Sequence, residues 1–152
     1  MKPGFMIQIE GKPSAQSVDI IAKLLKQIQK DTPIRHRVGV LILNSYVLSH
    51  SNAEVKTLSK RKMNKAIAGL FIPKKSKKHF GLAWIDGCDC QIILPGRLPY
   101  LWNRTKPSWM ALIWTTMHEV IHYQQYRNHK KLQEEGVEEK VDRILKRLGY
   151  DT

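Results

Sequence analysis

A chain of 152 residues has the length of one domain, so a single mixed core spanning 1–152 is the expected organisation. Apolar residues make up 42% and charged residues 26%, which excludes a disordered chain or a collagen-like fibre, and no apolar run approaches the roughly 18–20 residues of a membrane-spanning helix. Lys and Arg number 26 against 13 Asp and Glu, a formal net charge of +13, which where concentrated is either a solvated loop or a surface steering towards nucleic acid or an acidic partner.

Met1-Lys2-Pro3-Gly4-Phe5-Met6-Ile7-Gln8-Ile9-Glu10 meets a charge before a signal-peptide apolar stretch can form, so a cytoplasmic location is expected. Ser14 or Ser17 can cap a helix with Val18, Ile21, Leu24, Leu25 and Ile28 at helical spacing, which Asp31-Thr32-Pro33 stops. Residues 37–48, centred on Val38-Gly39-Val40-Leu41-Ile42-Leu43, read as a buried strand. The charge is concentrated next. No acid lies between positions 55 and 85, where Lys56, Lys60, Arg61, Lys62, Lys65, Lys74, Lys75, Lys77 and Lys78 stand. Residues 53–70 have partly helical character, interrupted by Gly69 and Pro73. Lys74, Lys75, Lys77 and Lys78 are the candidate nucleic-acid contacts of the stretch 56–78, with Phe71 and Phe80 as stacking rings.

Residues 80–85 and 88–94 flank Asp86-Gly87, which predicts a hairpin with a type I′ turn, and Pro95-Gly96 ends its second arm. Cys88 and Cys90 are too close in sequence for an unstrained disulfide and are expected as free thiols. From Thr105, with Pro107 in the first turn, a helical pattern runs through Trp109, Leu112, Ile113, Thr116 and Val120 to about His129. A last helix carries Val137, Val141, Ile144, Leu145 and Leu148 on one stripe and stops at Gly149.

The long helix contains His118-Glu119-Val120-Ile121-His122, an H-E-x-x-H sequence. Four residues apart, the two imidazoles are turned by about 40° and raised by about 6 Å, so both can meet one ion on one face. Glu119, about 100° from His118, lies beside that face, where a general base belongs.

A catalytic zinc takes three protein ligands, so a third must be found. His129 shares the face of His122 but lies about 10 Å further along a continuous helix. The metzincin pattern is excluded, because Gln125 and Asn128 stand where it needs Gly and His. With Val137 at zero, the apolar stripe of the last helix spans about −20° to 80°, and Glu138 falls at about 100° and Asp142 at about 140°. Glu135 falls near 160° and Glu139 near 200°, towards solvent. Glu138 is therefore the expected metal ligand, and Asp142 the group that accepts the free N–H of a ligating histidine. Glu134 is the alternative ligand if the helix begins before Gly136.

His118-Glu119-Val120-Ile121-His122 followed by Glu138-Glu139-Lys140-Val141-Asp142 resembles the H-E-x-x-H plus E-x-x-x-D arrangement of gluzincin metallopeptidases, in particular the minigluzincins and the ImmA/IrrE-like and M48-like domains. Val141 stands where those usually carry Ala. The resemblance covers about residues 80–148 and implies an α+β, minimal zincin-like fold: an N-terminal helix, a small, mostly antiparallel sheet with a hairpin, an active-site helix and a C-terminal glutamate helix. It also implies zinc as cofactor, a protein or peptide as substrate, and an endopeptidase in which Glu119 is the general base. Tyr100, Tyr123, Tyr126 and His129 are the candidates for steadying the oxyanion. The basic stretch is also similar in character to the SprT-like proteases, but those use a third histidine well downstream, and none follows His129. The alternative reading is a basic nucleic-acid-binding protein whose histidines are structural or hold zinc only for stability.

Overall fold

The chain opens with an extended strand, β1 (Gly4–Ile9), and then turns into α1 (Ala15–Asp31), whose first turn is closed by the Ser14 hydroxyl accepting from the Ser17 N–H at 3.4 Å. The remaining elements are β2 (Arg37–Leu43), β3 (Leu48–Ser51), β4 (Glu54–Thr57), β5 (Leu70–Ile72), β6 (Cys90–Pro95), α2 (Ser108–Arg127) and α3 (Val137–Arg147). The structure, a computed structural model, describes residues 2–43, 48–51, 54–57, 69–75, 83–96 and 108–150, with the backbone alone at 48–51, 54–57 and 108.

The architecture is α+β, with three helices and a four-stranded mixed sheet of order β1-β2-β6-β5 among the described residues. β1 lies parallel to β2, and β2 parallel to β6; only β5 runs antiparallel, against β6. This corrects the expectation of a mostly antiparallel sheet. The sequence pattern does not predict β1, and it is the β1-α1-β2 crossover that makes the first pair parallel. β3 and β4 form a separate antiparallel pair, so positions 54–57 are strand where helix was considered.

Residues 80–82 of the predicted hairpin lie outside the described residues, and its described part, 83–85, is not a strand. Cys88 N–H does donate to the Ile85 carbonyl at 3.2 Å across Asp86-Gly87, but only Gly87 has a positive φ, 76°, whereas a type I′ turn needs both central residues there. A turn with that pattern splays its arms, so residues 83–85 do not pair with β6 as a strand. The Gln91 side chain holds them instead: its Oε1 accepts from Ile85 N–H at 2.9 Å and its Nε2 donates to the Ala83 carbonyl at 2.8 Å. Phe80, Thr105 and Pro107, which the sequence reading used to begin the hairpin and α2, lie outside the described residues.

β2 is apolar throughout because both of its faces are covered. Val38, Val40 and Ile42 face the helices, with Cys90, Ile92 and Leu94 of β6 beside them; Leu41 and Leu43 face the other way, against Ile72, Ile85, Cys88 and Ile93. The helical layer adds Ile21, Leu24, Leu25 and Ile28 of α1, Leu112, Met117, Val120 and Ile121 of α2, and Val137, Val141 and Leu145 of α3. Gly96 closes β6 where the chain is most crowded: an added Cβ would meet the Leu43 carbonyl oxygen at 1.7 Å, while its own carbonyl accepts from Ser14 N–H at 2.8 Å. No helix among the described residues is long and apolar enough to cross a membrane.

Candidate metal centre

α2 lies against β5 and β6, which turns one side of its middle towards the sheet edge. On that side, His118, Glu119 and His122 each offer one ligand atom, and these atoms lie within 4.8 Å of one another. The group can hold a metal ion. The two imidazoles sit one turn apart as the spacing requires, ring centroids 4.9 Å apart, with their Nε2 atoms 3.2 Å from each other. Two nitrogens bound at about 2.0–2.1 Å in a tetrahedron lie roughly 3.3 Å apart, so the pair is set for a shared ion.

The carboxylate that meets them is that of Glu134. Its Oε1 is 2.9 Å from His122 Nε2 and its Oε2 is 2.9 Å from His118 Nε2, although the side chain is otherwise exposed. Glu134 precedes α3 altogether, since Gly136, with φ 77°, is the cap from which that helix starts. Glu138 is exposed in the first turn of α3 and acts on His118 only as a charge through space. Asp142 Oδ2 pairs with Lys146 Nζ at 3.0 Å.

Glu134 comes back to α2 because α2 stops abruptly. His129 adopts a left-handed conformation, φ 56°, and Lys130 N–H donates to the Gln125 carbonyl at 2.8 Å, a helix-terminating turn that reverses the chain. The Gln125 side chain, buried in α2, meets both the returning segment and His122 Nδ1, the latter at 2.9 Å. Sequence reasoning missed Gln125; a glutamine at the third position after the second histidine carries no signal in composition, but it is on the same helical stripe as His118 and His122.

Glu119 is only 4% exposed, and burial, with the Glu134 charge adding to it, pushes its carboxyl up to about 8. Burial also lowers the His118 pKa, against the opposing charge of Glu134. Of the residues expected to steady the oxyanion, Tyr123 and Tyr126 are engaged elsewhere. The Tyr123 hydroxyl accepts from Arg35 N–H at 3.4 Å and lies 2.9 Å from His36 Nδ1, and the Tyr126 ring packs on His36 and Phe71. His129 is exposed, and Tyr100 lies outside the described residues.

Cys88 and Cys90 are free and buried, and burial pushes the Cys90 thiol up to about 12, the opposite of what a metal-binding thiolate needs. Of the basic stretch, Lys74 and Lys75 are exposed just after β5, whereas Lys77 and Lys78 lie outside the described residues. Comparison of the chain with protein-family models, with curated proteins and with solved structures found no match.

Proposed function

We propose that the protein is a zinc-dependent metallopeptidase in which His118, His122 and Glu134 hold the ion and Glu119 is the general base. The observation that carries this reading is the convergence of two imidazole nitrogens and one carboxylate on one point, with a second, buried carboxylate beside them. Two nitrogens and one carboxylate are the donor set of catalytic rather than structural zinc, because a fourth position is left for water or substrate. Oxygen-only cations such as Mg²⁺ and Ca²⁺ fit it poorly. Zinc bound there would supply a Lewis acid to polarise a peptide carbonyl and activate water.

The chain's own residues do the rest. Glu119, its carboxyl pushed up towards neutrality, takes the proton of the attacking water and returns it to the departing amine. With a divalent ion held by His118, His122 and Glu134, the Glu119 carboxyl would be drawn back down and could accept that proton. The buried wall around Glu119 excludes bulk water from the proton it carries.

Metal analysis of protein purified from zinc-supplemented cells, with cleavage of an unfolded protein such as casein, tests the reading. About one zinc per chain is expected, lost in His118→Ala; Glu119→Gln should keep the ion and lose cleavage. A metal-free parent, or a Glu119→Gln variant as active as the parent, overturns it.

A further inference from the structure

We infer that Gln125 is a positioning residue of this centre, one that fixes His122 in the tautomer offering Nε2 and fastens the segment carrying Glu134 to α2; the inference rests on the metal reading above.

The orientation of its amide is set by backbone groups that cannot exchange roles. Gln133 N–H donates to one end at 3.2 Å, so that end is the oxygen, and the other end donates to the Gln133 carbonyl at 3.0 Å, so it is the nitrogen. His122 Nδ1 lies 2.9 Å from that same oxygen. A bare ring nitrogen facing a carbonyl oxygen is repelled, so Nδ1 carries a hydrogen, and in the neutral ring Nε2 keeps its lone pair. That nitrogen faces His118 Nε2 at 3.2 Å and Glu134 Oε1 at 2.9 Å, the place a shared cation would take.

The same residue anchors the segment that brings Glu134 in. The Gln125 carbonyl accepts from Lys130 N–H and its side chain grips both backbone groups of Gln133, the residue immediately before Glu134. One buried side chain thereby sets the direction of one ligand and the reach of another. A glutamine retained only for packing would need neither bond to His122 nor this orientation.

The test uses the whole protein and needs no peptidase assay. In chelator-treated, nitrogen-15-labelled protein, the imidazole resonances report which nitrogen of His122 carries the hydrogen, and competition with a chromophoric chelator gives the zinc affinity. The parent should show hydrogen on Nδ1. Gln125→Ala should mix the tautomers and weaken zinc roughly 10- to 100-fold, the range found for groups that orient a metal-bound histidine. Gln125→Glu, whose carboxylate still accepts from Nδ1–H and Gln133 N–H but turns its second oxygen on the Gln133 carbonyl, should restore the tautomer while zinc affinity stays below that of the parent. A parent with hydrogen on Nε2, or a Gln125→Ala variant whose tautomer is unchanged or whose zinc affinity stays within about twofold, overturns the inference. If the parent binds no zinc, the metal reading falls separately, and the tautomers of the parent and of Gln125→Ala still decide the role of Gln125.

Discussion

Gly69, the residue leading into β5, stands directly against Glu119: a Cβ at position 69 would lie 3.1 Å from Glu119 Cγ and 3.2 Å from both the Ile93 carbonyl oxygen and Thr115 Cγ2. The sheet edge therefore reaches the buried carboxylate with no side chain between them. Glu119 can shift by a few tenths of an ångström, but the Ile93 carbonyl belongs to β6 and cannot yield without moving the β5–β6 pair. Gly69→Ala should cost about 1–3 kcal/mol of stability, as overpacking does, and should lower turnover more than zinc affinity, because the methyl presses on Glu119 and not on the imidazoles. Thermal melts, zinc titration and casein cleavage on one preparation separate the three effects; unchanged turnover would remove Gly69 from the site.

The Glu119 carboxyl makes a second prediction, about the metal-free protein. Its folded value, about 8, lies above the reference 4.5, so between these values the folded chain holds a proton that the unfolded chain has released. Stability from this group is thus greatest below pH 4.5, falls as pH rises towards 8 and is level above it. Glu119→Gln cannot ionise and escapes the loss. With a chelator present, the variant should match the parent near pH 4.5 and exceed it by on the order of a few kcal/mol at pH 8.5, at about 1.4 kcal/mol per pKa unit. Urea unfolding at the two pH values checks this, and equal stabilities at pH 8.5 would place the carboxyl in a wetter setting.

What could be read from residues alone depended on how local the cause was. α1 and its Ser14 cap, the apolar β2, and the apolar stripe of α3 are set by spacing and burial within one element, and each was legible. So was the pairing of His118 with His122, because four residues make one turn wherever the helix sits. β1 escaped because it is a short edge strand whose consecutive Phe5, Met6 and Ile7 do not alternate with polar residues: Phe5 packs on the core, whereas Met6, Ile7 and Ile9 are exposed. The contact of Glu134 with the imidazoles is not legible, because helical phase orders only residues within a helix and this contact comes from a chain reversal at His129 and the grip of Gln125 on Gln133. Both are tertiary facts.

That reversal carries strain that can be removed. His129 is the described non-glycine residue with a positive φ, 56°, at the end of α2 where glycine is the usual occupant. The left-handed region costs an L-residue roughly 1–2 kcal/mol, and glycine returns roughly 0.5–1 kcal/mol of that through its freer unfolded chain. His129→Gly should accordingly stabilise the protein by about 0.5–1 kcal/mol and leave zinc affinity unchanged, since the side chain is exposed and away from the imidazoles. A loss of zinc affinity in this variant would mean that His129 reaches the site.

The identity of the third ligand separates geometry from helical phase. Glu134 touches both Nε2 atoms at 2.9 Å, whereas Glu138 influences His118 only through space. Glu134→Ala should therefore weaken zinc by more than the roughly 10- to 100-fold that an outer partner is worth. Glu138→Ala removes an exposed charge worth roughly 0.2–1 kcal/mol, a change of no more than about fivefold that fades with added salt. Glu139→Ala should change nothing. The outcome that sinks this assignment is the reverse order: if Glu138→Ala abolishes zinc binding and Glu134→Ala spares it, α3 must swing its first turn over the imidazoles when the ion binds. The phase of Glu138 beside the apolar stripe of α3 would then govern the site, and the contact of Glu134 with the histidines would be a feature of the metal-free protein alone.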